Sequence, residues 1–152
     1  CALCSAGYKG MKIKEDYIIT VDSTYTGGGE TDSMSLTTVG SYYIKNGKQY
    51  ICYRESEATG FEGHTTTIKA SDSGVSIKRF GKTGSLMIIE KGAVNVCNYK
   101  TPMGEVLLDI SGVEIENHLD EKGGMLTFKY ELSLNGELLS ENEIIVTVKE
   151  IK

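Results

Sequence analysis

The chain has 152 residues and a net charge of −5, with 16 Lys and Arg against 21 Asp and Glu. That length suits one domain able to bury a core without disulfide or metal support, and the acidic balance argues against a nucleic-acid binder, which needs a basic face to displace counterions from phosphates. The longest apolar runs, SLMIIE and EVLLDI, fall far short of the ~20 residues of a membrane-spanning helix, so the expectation is a soluble protein with no membrane partner.

Eighteen glycines, nine tyrosines, one proline and no tryptophan make a β composition rich in tight turns. No long window places apolar residues at the i, i+3, i+4, i+7 spacing of a helix, so the fold class expected is all-β.

Residues 1–10, CALCSAGYKG, stand apart from the rest of the chain. Met11 opens a strand-like run, so 1–10 read as an upstream or appended, flexible extension and 11–152 as a single domain. Cys1 and Cys4 form a C-x-x-C, but neither a thiol-activating helix start nor two further ligands accompany them. No metal and no cofactor is expected.

From Met11 the alternation is regular. Tyr17, Ile19 and Val21 share one side with Ile13 and Glu15, while Lys14, Asp16, Thr20 and Asp22 share the other. Gly27-Gly28-Gly29 then reads as a flexible loop, since no phosphate-binding motif surrounds it. A strand from about Met34 to Lys45 turns back at Asn46-Gly47, the strongest short hairpin signal, into a strand from Lys48 to Glu57.

Beyond the loop around Gly60 to Gly63 come HTTTIKA, a turn at Ser71 to Gly74, VSIKRF and a loop at Gly81 to Gly84. SLMIIE turns at Lys91-Gly92 into AVNVCNYK, and Thr101 to Gly104 is a tight turn with Pro at i+1. A long strand from Glu105 to about Asn117, a loop from Asp120 to Gly124, a strand with Leu126, Phe128, Tyr130, Leu132 and Leu134 on one face, and an Asn135-Gly136 hairpin into the last strand complete about ten segments. A meander of this kind either splits into a sandwich or curls until its edges pair; the long terminal strands and short turns favour the second, so a single antiparallel, mostly up-and-down, closed or nearly closed barrel is expected.

Several stretches, Tyr53-Arg54-Glu55, GHTTTIK from Gly63 to Lys69, Lys78-Arg79-Phe80-Gly81, Tyr99 to Gly104, and Gly123-Gly124 leading to Phe128-Lys129-Tyr130, carry a resemblance. From Met11 to the C-terminus the chain resembles the bacterial YwiB-like family. That resemblance implies a calycin-type, lipocalin-like barrel and brings no reaction, ligand or catalytic residue with it. Residues 1–10 fall outside it.

The densest charge within strands lies between Tyr50 and Gly81. Parity groups Ile51, Tyr53 and Glu55 on the inward side of one strand, with Tyr50, Cys52 and Arg54 outward. In the neighbouring strands it groups Thr65, Thr67 and Lys69, then Val75, Ile77 and Arg79. Glu55, Lys69 and Arg79 are thereby expected to project into the lumen near Tyr53. A buried carboxylate needs a cationic neighbour, and two readings of the set stand. One is an internal ion pair in a barrel filled by its own side chains, the plainer of the two because structural pairs also occur far from any site. The other is a polar pocket in which Arg79 and Lys69 hold an anionic or amphipathic ligand and Tyr53, Thr67 and Tyr99 supply rings and hydroxyls.

His64 and His118 lack a second histidine at ligand spacing and read as surface residues. Cys52 and Cys97 read as reduced, packed thiols on different sides of the sheet in a cytoplasmic protein. No G-x-S-x-G is present, and Glu114 with Glu116 reads as a solvated face. The functional alternatives are a non-enzymatic module binding a small molecule and an interaction or assembly scaffold, of which a homodimer is one form; an enzyme ranks behind both.

Overall fold

The computed structural model describes residues 15–55, 63–81, 85–101 and 104–151, with backbone alone at 99–101. Ten strands follow in chain order: β1 Tyr17–Gly27, β2 Glu30–Lys45, β3 Lys48–Arg54, β4 Thr65–Ala70, β5 Gly74–Phe80, β6 Ser85–Glu90, β7 Val94–Thr101, β8 Gly104–Asp120, β9 Gly123–Leu134 and β10 Glu137–Glu150. Each pairs antiparallel with its neighbours in the order β6-β5-β4-β3-β2-β1-β10-β9-β8-β7. The meander wraps until its two ends, β6 and β7, meet at a seam.

Period-two alternation decides which side of the wall each residue takes. Ile19, Ile51, Ile68, Ile89, Ile110, Leu126, Phe128 and Val146 are fully or almost fully buried and come from seven different strands. They meet in one core that fills the middle of the barrel. The hairpin signals in the sequence turn as expected: Asn46-Gly47 and Asn135-Gly136 both have positive φ, the left-handed pair that a tight two-residue turn between twisted strands requires.

Three expectations need correction. The triple glycine is no flexible loop: Gly27 ends β1, Gly28 and Gly29 make a tight turn with φ of 60° and 81°, and β2 begins at Glu30 rather than near Met34. Two adjacent glycines at positive φ do the same work as Asn-Gly. Among the described residues β1 begins at Tyr17, so Glu15 and Asp16 precede it rather than belonging to it, and the expectation for Met11 to Lys14 lies outside the described residues. Gly123 and Gly124 belong to β9, the turn being Glu121-Lys122. The expectations for residues 1–10, for the 60–63 loop in the main, for the 82–84 loop and for the turn at Pro102 lie outside the described residues.

The seam is closed at one point. Gly92 donates to the carbonyl of Gly112 at 3.0 Å, Gly112 donates to Ala93 at 3.1 Å, and Lys91 bridges Gly112 in parallel. A side chain at Gly112 would collide with the backbone of Glu90, so only glycine lets the β6–β7 turn lie against β8. Among the described residues no ladder joins β6 to β7 beyond this turn. The barrel is nearly closed rather than closed.

One end of the lumen is tied shut across its width. The Tyr42 hydroxyl donates to the Asp120 carbonyl at 2.7 Å, and Asn117 Nδ2 donates to Gln49 Oε1 at 2.6 Å, joining β2 and β3 to β8. Tyr17 packs edge-on to Tyr42 with ring centroids 5.5 Å apart. The opposite end is different: the inward-facing residues of β1 and β2 go from fully buried Ile19, through half-buried Val21 and Leu36, to Met34 at 49% exposure. There the lumen opens.

Candidate functional site

The open end has a polar floor. Tyr53 sits near the end of β3 and pairs with Gly40 of β2 and Thr66 of β4, and Thr66 in turn pairs with Arg79 of β5. Glu55 follows the end of β3, where its backbone N–H donates to His64 at 2.8 Å. Because Ile51, Ile68 and Ile77 stand opposite one another and occupy the core, period two sends Tyr53, Thr66 and Arg79 to the same inner side.

Glu55 has a side chain only 2% exposed, and its Oε2 accepts a hydrogen bond from Arg79 Nε at 3.4 Å and another from the Thr66 hydroxyl. A carboxylate that deep costs several kcal/mol unless it is paired, and here one cation and one hydroxyl compensate it. Arg79 is less enclosed, at 27% side-chain exposure. Thr66 is fully buried, so its hydroxyl serves the carboxylate and reaches no substrate.

Above this floor lies a cavity of about 80 Å³, lined by Val21, Ser23, Met34 and Leu36 of the β1–β2 wall, Ile144 of β10, Phe128 of β9, and Tyr53, Glu55, Ile68, Ile77 and Arg79. Among these lining residues only Glu55 and Arg79 are charged. Burial, then the Glu55 carboxylate, push the Tyr53 phenol well above its usual range despite the opposing pull of Arg79. Burial likewise pushes Tyr130, whose ring stacks on Phe128 with centroids 6.3 Å apart, up to about 12. Both phenols are protonated at neutral pH, and of the two Tyr53 lines the cavity.

The six residues singled out in the sequence divide. Tyr53, Glu55 and Arg79 come together at the cavity. Lys69 and Thr67 do not. The register pairs Lys69 with Tyr50, and Lys69 Nζ lies 5.9 Å from the Tyr50 ring centroid on the outer face, while Thr67 donates to Cys52 Sγ at 3.6 Å on that same face. The inner set of β4 is Thr66, Ile68 and Ala70, because two apolar side chains gain more from the core than the Lys69 ammonium could. Tyr99, in β7, lies opposite Val106 of β8, and its side chain is outside the described residues. Thr66, Ser23 and Met34 were missed, although assigning Ile68 to the core would have turned Thr66 inward.

A larger depression, about 390 Å³, lies on the outer face between Thr24, Thr26, Lys129, Glu131, Glu141 and Glu143. Lys129 Nζ stands 3.4 Å from Glu143 and 3.6 Å from Glu114, and the hydrogen bond to Glu143, then the charge of Glu114, raise its pKa. These groups are 37–44% exposed, so solvent screens them and the acidic wall is a solvated face. Cys52 and Cys97 are both buried, the first on the outer face and the second, bonded through Sγ to the Leu86 carbonyl, on the inner. Among the described residues no group of three or more His, Cys, Asp and Glu is placed to hold a metal ion, and no helix is long and apolar enough to cross a membrane.

Comparison with known proteins agrees with this architecture. The chain is 28% identical over 127 residues to the "Uncharacterized beta-barrel protein YwiB" of Bacillus subtilis (strain 168), covering 84% of this chain and 88% of that protein. The crystal structure of the ywiB protein from Bacillus subtilis superposes with a TM-score of 0.78 at 24% identity, over 92% of this chain and 96% of the other, which shows a shared fold. The model of a domain of unknown function, DUF1934, matches residues 19–146, from the first core isoleucine of β1 to the last fully buried valine of β10, and the chain belongs to that family.

Proposed function

We propose that the protein is a non-enzymatic binding module whose barrel receives the polar head of a small amphipathic molecule at its open end. One observation carries this reading: Val21, Met34, Leu36 and Ile144 face the lumen yet are incompletely buried, and they lead down to a floor that carries Tyr53, Glu55 and Arg79. A stripe of half-covered apolar side chains above a few convergent polar groups is the general form of a small-ligand site. The cavity of about 80 Å³ is well below the ~300 Å³ at which drug-sized pockets begin, so it takes a head group of a few atoms while the apolar part lies along the rim. Native mass spectrometry of protein taken unrefolded from the cells that make it checks this. The expected result is an added mass that Arg79→Ala loses; a clean unliganded mass from both proteins would contradict it.

A second reading, an assembly scaffold, is favoured by a different observation. Leu86 and Ile88 of β6, Val94 and Val96 of β7 and Leu107 of β8 are 38–64% exposed on the outer face beside the seam. A patch of this kind on two edge strands suits a second copy related by a two-fold axis. Sedimentation velocity over a concentration series would then show a dimer that Val96→Glu abolishes, and a concentration-independent monomer would remove the reading.

A further inference from the structure

Building on the assembly reading, we infer that the outer patch at the seam is the face of a homodimer whose two-fold axis lies in the interface and runs along β6 and β7, so that Lys78 of each copy meets Asp109 of the other. The inference rests on register. Val75, Ile77 and Ile89 are buried in the core, so period two turns Lys78, Leu86 and Ile88 outward from β5 and β6. Burial of Cys97, Leu108 and Ile110 does the same for Val94, Val96 and Asp109 on β7 and β8. Lys78 stands directly beside Leu86, and Val96 directly beside Asp109. The Cys97 thiol, which donates to the Leu86 carbonyl at 3.6 Å, sets Leu86 level with Val96 across the seam. One row therefore runs Lys78, Leu86, Val96, Asp109 over four strands: a cation, two apolar side chains and an anion.

A row of that order is complementary to itself when turned end for end. Half a turn about an axis along the strands reverses the row and keeps its height, laying Leu86 on Val96 of the second copy and setting Lys78 against Asp109 at both ends. The next row agrees. Ser76 stands beside Ile88 and Val94 beside Ser111, so the same operation lays Ile88 on Val94 with a serine on either flank. An axis across the strands would instead set Lys78 against Lys78 and Asp109 against Asp109, and like charges so placed oppose association. Lys78 is exposed, its Nζ 4.9 Å from the centroid of the Phe80 ring, Asp109 is half-buried, and among the described residues neither stands in an ion pair. Covering Leu86, Val94 and Val96, which are 48–64% exposed, supplies the affinity, and the flanking charges choose the orientation.

Charge reversal on the full chain tests the axis. Sedimentation velocity over a concentration series is run at low salt on the unmodified protein, Lys78→Glu, Asp109→Lys and an equimolar mixture of the two variants. The unmodified protein is expected to dimerise. Each variant alone should dimerise more weakly by on the order of tenfold, because two attractive contacts become repulsive. The mixture should dimerise about as tightly as the unmodified protein, since in a mixed dimer Glu at 78 faces Lys at 109 and the native Lys78 faces the native Asp109. A dimer that neither variant weakens, a mixture no tighter than its components, or Lys78→Glu pairing preferentially with the unmodified protein would overturn this geometry and leave the assembly reading intact. A concentration-independent monomer would overturn both and leave the patch to a different partner. Should Asp109→Lys not fold, Lys78→Glu decides alone: its dimer must be the weaker at low salt, and the gap must close in about 1 M salt, where charges are screened beyond ~3 Å. An unchanged dimer, or a gap that salt does not close, overturns the pairing of Lys78 with Asp109.

Discussion

The two ends of the lumen use polar side chains in opposite ways. At the closed end, Tyr42 bonds to Asp120 and Gln49 to Asn117 across the barrel, so each polar group is satisfied by the wall facing it. At the open end, Glu55, Thr66 and Arg79 come from one wall, from β3 through β5, and the wall facing them contributes apolar Phe128 and Ile144. Polar groups that bridge a barrel tie it together. Polar groups gathered on one side leave room above them, and the exposure of Met34 marks where that room meets solvent.

The largest effect is expected at the floor of the open end. Arg79→Met leaves the Glu55 carboxylate buried beside Thr66 alone, and chemical denaturation should show a loss of about 3–5 kcal/mol, the usual result of removing one partner from a buried pair. A loss below about 1 kcal/mol would mean that water reaches Glu55 and that the floor is less enclosed than its 2% exposure states. Thr66→Val keeps the shape and deletes the hydroxyl, and should cost roughly 1–3 kcal/mol. Its effect should shrink in a Glu55→Gln background, because the bond lost is then to a neutral acceptor.

Alkaline pH probes both ends together. Tyr42 at the closed end is pushed up to about 12 by burial first and by the charge of Asp120 second, and Tyr130 near the floor is pushed to about 12 by burial. A native phenol that holds its proton more tightly than the unfolded chain contributes stability that is fully present below the ordinary value of 10 and is lost as pH rises toward 12. Each tyrosine should therefore remove at most roughly 1.4 kcal/mol per pH unit across that window. The smallest effect is expected from Tyr42→Phe, about 1 kcal/mol for the hydrogen bond to Asp120, together with a shallower alkaline slope. A Tyr42→Phe loss equal to that of Arg79→Met would erase the distinction between the ends.

Much of the barrel was legible because period-two alternation and Asn-Gly turns are local signals. Ile19, Ile51, Ile77, Phe128 and Val146 could be assigned inward from their own strands, and Asn46-Gly47 and Asn135-Gly136 could be placed as hairpins, with no knowledge of what they pair with. Asp22-to-Ser35 and the rest of the β1–β2 ladder were harder, since the polar run from Glu30 to Ser33 carries no apolar alternation and only its pairing with β1 makes it a strand. The site was half legible. Glu55 and Arg79 sit at parity with unmistakable core residues. Lys69 was misplaced because Thr65, Thr67 and Lys69 alternate as evenly as Thr66, Ile68 and Ala70, and only the pairing of Ile68 with Ile51 and Ile77 chooses between them. The rim could not be read at all, because which inward residues stay half-covered depends on how far β1 and β2 extend past their neighbours.

The most direct test compares the open end with the seam in one spectrum. In a methyl-labelled sample, a short amphiphile such as octanamide should shift the signals of Met34, Leu36, Ile77 and Ile144 in a saturable way and leave Leu86, Ile88, Val94 and Val96 unmoved. Shifts confined to the seam methyls, or no saturable shift at the mouth, would contradict a ligand seated over the Glu55–Arg79 pair.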